Sequence, residues 1–169
     1  MGIVSPDHYP EGADLRPLPS DYWDRGYYRW GGEWFADDID SLRAAKWAEV
    51  KAHRELLEAG AAPTPFGPVQ CDDRSKLKIN GLVQLATIAA AAGEPFDEEF
   101  TLADNQVVPL TGQDMIAMGV AVARHVSAIH AVSRLLRAQI HTAGVTIDEL
   151  LGLDVAGEFA TALSSTDPV

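Results

Sequence analysis

Cysteine is almost absent: Cys71 is the only one in 169 residues, which excludes an intrachain disulfide framework and any zinc site built on two or more thiolates. Long hydrophobic runs are missing too. No stretch of 18 or more consecutive apolar residues occurs, so no segment reads as a membrane-spanning helix. Positive charge is scarce, with 13 Lys and Arg against 25 Asp and Glu and a formal charge of -12. Such a surface repels phosphate backbones and anionic membranes, which argues against nucleic-acid binding and membrane insertion. The first residues, Met1 to Asp7, hold neither the positive region nor the apolar core of a secretory signal, and Pro6 stands where a myristoylation cue needs a hydroxyl. Neither export by the secretory route nor N-terminal lipidation is expected.

Catalytic signatures are equally missing. There is no Gly-x-Ser-x-Gly elbow, no Walker lysine loop and no Gly-x-Gly-x-x-Gly after a strand. The histidines are His8, His53, His125, His130 and His141. A helical metal pair needs ligands three or four apart, whereas His125 and His130 are five apart and point about 140° away from each other on a helix. Cys71 is followed by Asp72 and Asp73, whose carboxylates disfavour a thiolate, so a structural thiol is expected. Glu98 and Glu99 are adjacent and fall on opposite faces of a strand, and Asp104-Asn105 reads as turn chemistry. The reading is of a chain with no catalytic residues, no metal site and no cofactor.

What the chain does have is an unusual N-terminal stretch. Residues 1–40 hold eight of the thirteen aromatics, four of the ten prolines, and three Arg against nine acids. Prolines at 6, 10, 17 and 19 deny helical and sheet donors, so an extended arm is expected there. Tyr27-Tyr28-Arg29-Trp30 and Glu33-Trp34-Phe35 flank Gly31-Gly32, which predicts a β-hairpin around a two-residue turn. An isolated ribbon is marginal alone, so its rings are expected to dock on the protein's own core or on another subunit. A sugar or cation platform built from Tyr28, Trp30 and Trp34 is the alternative. Tyr27, Tyr28, Trp30, Trp34 and Phe35 are therefore the candidate partner-binding residues.

After residue 38 the pattern is helix, extended pair, helix, extended pair, helix. Asp40-Ser41 predicts a cap for a helix with Leu42, Ala45, Val50, Leu56 and Leu57, running to Ala59 and closed by Gly60. Ala61 to Pro68 is turn-rich and leads into a short extended Val69-Gln70-Cys71. Asp72-Asp73 opens a second helix whose apolar side is read as Leu77, Leu82, Leu85, Ile88 and Ala89, stopped by Gly93 and Pro95. Phe100 to Leu102 and Val107 to Leu110 form a hairpin about a polar loop. Thr111 and Asp114 predict a capping box on the longest helix, with Met115, Met118, Val122, Val126, Ile129, Leu136 and Ile140 on one face. A last helix follows from Thr146 to Leu153, with Thr146 as cap and Glu149 three residues on. The fold class expected is α+β: three main helices alternating with small hairpins, an arm and hairpin in 1–38, a helical domain in 39–163, and a flexible tail in 164–169.

The ordered set Asp73-Arg74-Ser75, Leu77-Lys78-Ile79-Asn80-Gly81-Leu82, Phe100-Thr101-Leu102-Ala103-Asp104-Asn105, Val108-Pro109-Leu110, Met115-Ile116-Ala117-Met118-Gly119 and Ala123-Arg124-His125-Val126 spans some 120 residues from Asp40 to Phe159. In that order these motifs resemble short tailed-bacteriophage proteins encoded among tail-fibre genes, labelled tail-fibre or tail-fibre-assembly proteins, which carry a domain of unknown function. Asp154 to Phe159 replaces the family's usual glycine-tryptophan-proline type of ending. The resemblance implies a non-enzymatic component of the tail tip or fibre, found in the virion after synthesis in the host cytoplasm. Its partners would be other tail or fibre proteins and copies of itself in a symmetric assembly. An assembly chaperone absent from the finished particle, or a host-surface glycan binder, are the alternatives.

Overall fold

A computed structural model describes residues 28–30, 34–36 and 39–164. The chain divides into two compact units, Met1–Ser41 and Leu42–Val169. In the first, β1 (Tyr28–Trp30) and β2 (Trp34–Ala36) pair antiparallel, with Tyr28 opposite Ala36 and Trp30 opposite Trp34. That register leaves the three residues 31–33 between the strands, one more than the two-residue turn expected from Gly31-Gly32. A two-residue turn would have set Trp30 opposite Glu33, whereas the observed register sets it opposite Trp34. The expected arm over residues 1–20 and the tail beyond Ser164 lie outside the described residues.

The second unit is α+β, as expected. Three long helices, α1 (Ile39–Glu58), α2 (Asp73–Ala92) and α3 (Gly112–Ile140), are separated by two antiparallel strand pairs. The pairs are β3 (Ala61–Ala62) with β4 (Val69–Gln70), and β5 (Asp97–Thr101) with β6 (Val107–Thr111). Two short helices, α4 (Ile147–Gly152) and α5 (Val155–Ser164), close the fold.

Local chemistry sets most boundaries. Asp72 caps α2 by accepting from the Ser75 amide at 3.0 Å, and Gly93 ends it in the left-handed region at φ 70°. Thr111 and Asp114 form the capping box of α3, and Thr146 and Glu149 that of α4. Between β5 and β6, Asn105 takes φ 65° and the Asp104 carboxylate accepts from the Gln106 amide at 3.0 Å, which turns the chain as read. Asp40 and Ser41, expected as the cap of α1, instead lie inside its first turn, because the helix starts at Ile39.

Helix α3 is the spine. Its first half packs on α2: Gly112 lies near Ala86, and a Cβ on Gly119 would overlap the Val83 side chain, so the two helices run antiparallel at close approach. Ile79, Ala86, Phe100, Leu102, Leu110, Met115, Met118 and Val122 share one buried cluster with Ala62, Val69 and Cys71. Along the second half, Arg43 Nε donates to the Ile140 carbonyl at 3.2 Å and the Arg137 guanidinium stands 5.3 Å over the Trp47 ring, so α1 runs antiparallel to this half. Leu42, Val50, Ile129, Val132, Leu136, Ile140, Leu150, Leu153, Val155 and Phe159 are buried there. In length and apolar composition α3 would suit a bilayer, yet it buries eight residues within this fold and carries Arg124, Arg134 and Arg137.

Two elements depart from expectation. The apolar side read for α2 is only partly the packed one: Leu77, Leu85 and Ile88 are exposed and Leu82 and Ala89 half-buried, while Ile79 and Ala86, outside that reading, are buried with Val83 half-buried beside them. Gly119 of α3 admits Val83 at the close approach of the two helices, which turns that side of α2 inward. Helix α5 was not expected at all. The Asp154 carboxylate accepts from the Gly157 amide at 3.0 Å, which starts a helix that buries Val155 and Phe159.

Candidate interaction surface

Of the five residues expected to bind a partner, Tyr28 and Trp30 lie on β1 and Trp34 and Phe35 on β2, so one two-stranded ribbon brings four of them together in the backbone. Tyr27 lies outside the described residues.

Cys71 is fully buried as a free thiol, and burial pushes its pKa up more than its neighbours Asp72 and Glu58 do, while Lys76 works in the opposite direction. An inert structural thiol results, as expected, but burial rather than the adjacent carboxylates is the main cause. His53 stacks at a tilt on Phe159, centroid to centroid 5.1 Å, and is part of the packing. His141 caps the end of α3, and His8 lies outside the described residues. Among the described residues no group of three or more His, Cys, Asp or Glu could hold a metal ion.

One cluster escaped the sequence reading. His130 Nε2 lies 3.0 Å from Glu58 Oε1, and Arg54 Nε lies 3.3 Å from the same oxygen. Arg54 and Glu58 stand four apart on α1, a recognisable helical pair, but nothing in the sequence brings His130 from α3 to meet them. The carboxylate joins the end of α1 to α3 and also lies near enough to Cys71 to disfavour its thiolate.

The clefts add no reactive pair. One is lined by Gln139, Thr142, Gly144, Val145, Glu149 and Leu150. Two of its three polar side chains are already engaged: Thr142 Oγ1 donates to the Ala138 carbonyl at 2.8 Å, and Glu149 accepts from the Thr146 amide at 2.7 Å. The other is a shallow basic notch of Arg134, Arg137 and His141 at the end of α3, where cations meet the negative end of the helix dipole.

His125 is half-buried, and burial holds its imidazole below the ordinary value of about 6.5. The unfolded chain therefore takes up a proton here before the folded chain does. Stability is full above about pH 6.5, falls as pH drops below it, and levels off once the folded imidazole also protonates. His125→Gln is expected to flatten the urea midpoint between about pH 7 and pH 5. Hydrogen bonds from Ser75, Thr111 and Thr146 hold Asp72, Asp114 and Glu149 low, so their contribution is lost only in a more acidic window. A parent and variant with parallel curves across the upper window would refute the assignment.

The surface is apolar where a solvated helix would be polar. Leu77, Leu85 and Ile88 on α2 are 75%, 57% and 64% exposed, and Leu56, Val107 and Leu135 are exposed elsewhere. Scattered apolar residues are ordinary, but three on one stripe of one helix form a patch. A family model described as "Domain of unknown function (DUF4376)" matches residues 41–157, more than half of the chain. No curated protein and no solved structure matches it.

Proposed function

We propose that this chain, which belongs to the DUF4376 family, is a structural protein of a bacteriophage tail, part of the tail tip or fibre, that works by protein–protein contact and not by turnover. The observation that carries the contact reading is α2, a helix apolar on both sides. One side packs on α3, and the other presents Leu77, Leu85 and Ile88 to solvent. A helix that carries apolar side chains on two sides is suited to lie between two partners, and the fold supplies α3 on one of them. The burial of Cys71 as a free thiol with a raised pKa, and the absence among the described residues of any metal-holding group of His, Cys, Asp or Glu, are in keeping with a non-enzymatic role. The placement in a phage tail is supported by the ordered motifs from Asp73 to Val126.

Mass spectrometry of purified virions from a phage encoding this chain is the test. The chain is expected at a stoichiometry comparable to other tail proteins. Its absence from virions, together with co-purification with the fibre protein from infected cells, would replace the structural role by that of an assembly chaperone. Absence from both would end the tail reading.

A further inference from the structure

We infer that the outer face of α2 is a self-association surface on which a second copy of this chain lays its own α2 antiparallel. The inference deepens the contact reading above by naming the partner for this face. At about 100° per residue, Arg74, Leu77, Gly81, Leu85, Ile88 and Ala92 all fall within about 40° of the direction of Gly81. Ile79, Val83 and Ala86, which face α3, lie on the far side. Between Lys78 and Glu94 no residue of the chain is charged.

Gly81 is the telling position. A glycine in a helix interior costs about 1 kcal/mol relative to alanine. A Cβ at this site would meet nothing within 4 Å, so the fold of one copy gives no reason for it. The glycine leaves a notch between Leu77 and Leu85, both exposed, and a notch of that kind suits close approach by another helix.

The stripe is complementary to itself. Reversed about a point near Val83, Leu77 faces Ile88 and Ala89 of the second copy, and Leu85 sits over the notch at Gly81, twice by symmetry. Charge then selects the direction. Arg74 lies at the N-terminal end of the stripe, and the exposed Glu94 lies just past its C-terminal end. An antiparallel pair brings each Arg74 beside Ala92 and within side-chain reach of Glu94 on the other copy, whereas a parallel pair would set Arg74 against Arg74. Asp72, the cap, is on the opposite side of the helix. Helix α2 has 20 residues and is about 30 Å long, so a single such seam falls short of the roughly 800 Å² per partner of a standard interface. The dimer is accordingly weak and concentration-dependent.

Sedimentation of the full chain from about 1 μM to 1 mM tests this. The mass is expected to rise from 18.2 kDa toward twice that value, with a midpoint in the tens to hundreds of micromolar. Gly81→Leu fills the notch while improving helix propensity, so it is expected to stay folded by circular dichroism and remain monomeric at the highest concentration. Leu85→Lys should do the same. Arg74→Glu should weaken association about tenfold, and adding Glu94→Arg should restore it. A parent chain that stays at the monomer mass throughout overturns the inference, as does association that survives Gly81→Leu and Leu85→Lys together. Pull-down of neighbouring tail proteins by the Leu85→Lys chain separates the two levels: retained binding with lost dimerisation leaves the contact reading standing and supports a surface specific to self-association.

Discussion

Phe159→Ala is expected to destabilise the second unit by about 3–5 kcal/mol, the range for deleting a large buried aromatic. Phe159 is fully buried although α5 is the last described element, only five residues from its end. The ring stacks on His53 of α1, and α5 packs along the second half of α3 beside Val155 and Leu153. Truncation would remove a group that ties this helix to α1 and would leave a cavity that a close-packed interior fills only in part. Against a typical total of about 5–15 kcal/mol, that loss is large. Urea denaturation of parent and variant measures it. A change below about 1 kcal/mol would mean that α5 is a loosely held appendage.

The same helix marks the limit of what the sequence revealed. Asp154 followed by Val155, Phe159 and Leu163 has a cap and an i, i+4, i+8 apolar spacing, which is a legible helix signal. Gly157 and the nearness of the chain end weakened it. Where caps were strong the boundaries were legible: Thr111 with Asp114, Thr146 with Glu149, and Asp72 with Gly93 all act as read. The buried stripe of α3 was legible as well, because its polar and apolar faces differ. On α2 both faces are apolar, so periodicity could identify a helix but not its phase, and side-chain size favoured the wrong side. What decided the phase was a glycine 36 residues beyond Val83, Gly119, which admits Val83 and leaves Leu85 outside. The candidate surface divides in the same way. The pairing of Tyr28 and Trp30 with the strand of Trp34 and Phe35 was readable from turn chemistry, whereas the α2 face became visible only once its packing partner was known.

Gly119→Leu should be the most damaging single change on α3. A Cβ alone at this position would already overlap Val83 Cγ2, and a leucine adds three further carbons at the closest approach of α2 and α3. Overpacking of a well-filled core costs about 1–3 kcal/mol and sometimes more, and here the neighbour is a β-branched valine with little rotamer freedom in a helix. A loss of about 3 kcal/mol or more is expected, with Met115 and Met118 displaced on one side and Ile79 and Ala86 on the other. Gly119→Ala separates sterics from propensity. Alanine favours the helix by about 1 kcal/mol over glycine, so with Val83 present the overlap should make Gly119→Ala destabilising, and in a Val83→Ala background the sign should reverse. A double-mutant cycle read by urea midpoints gives the coupling directly. Additive effects in that cycle would mean that α2 and α3 do not meet at this pair, and the phase of α2, with the exposure of Leu77, Leu85 and Ile88 that follows from it, would have to be redrawn.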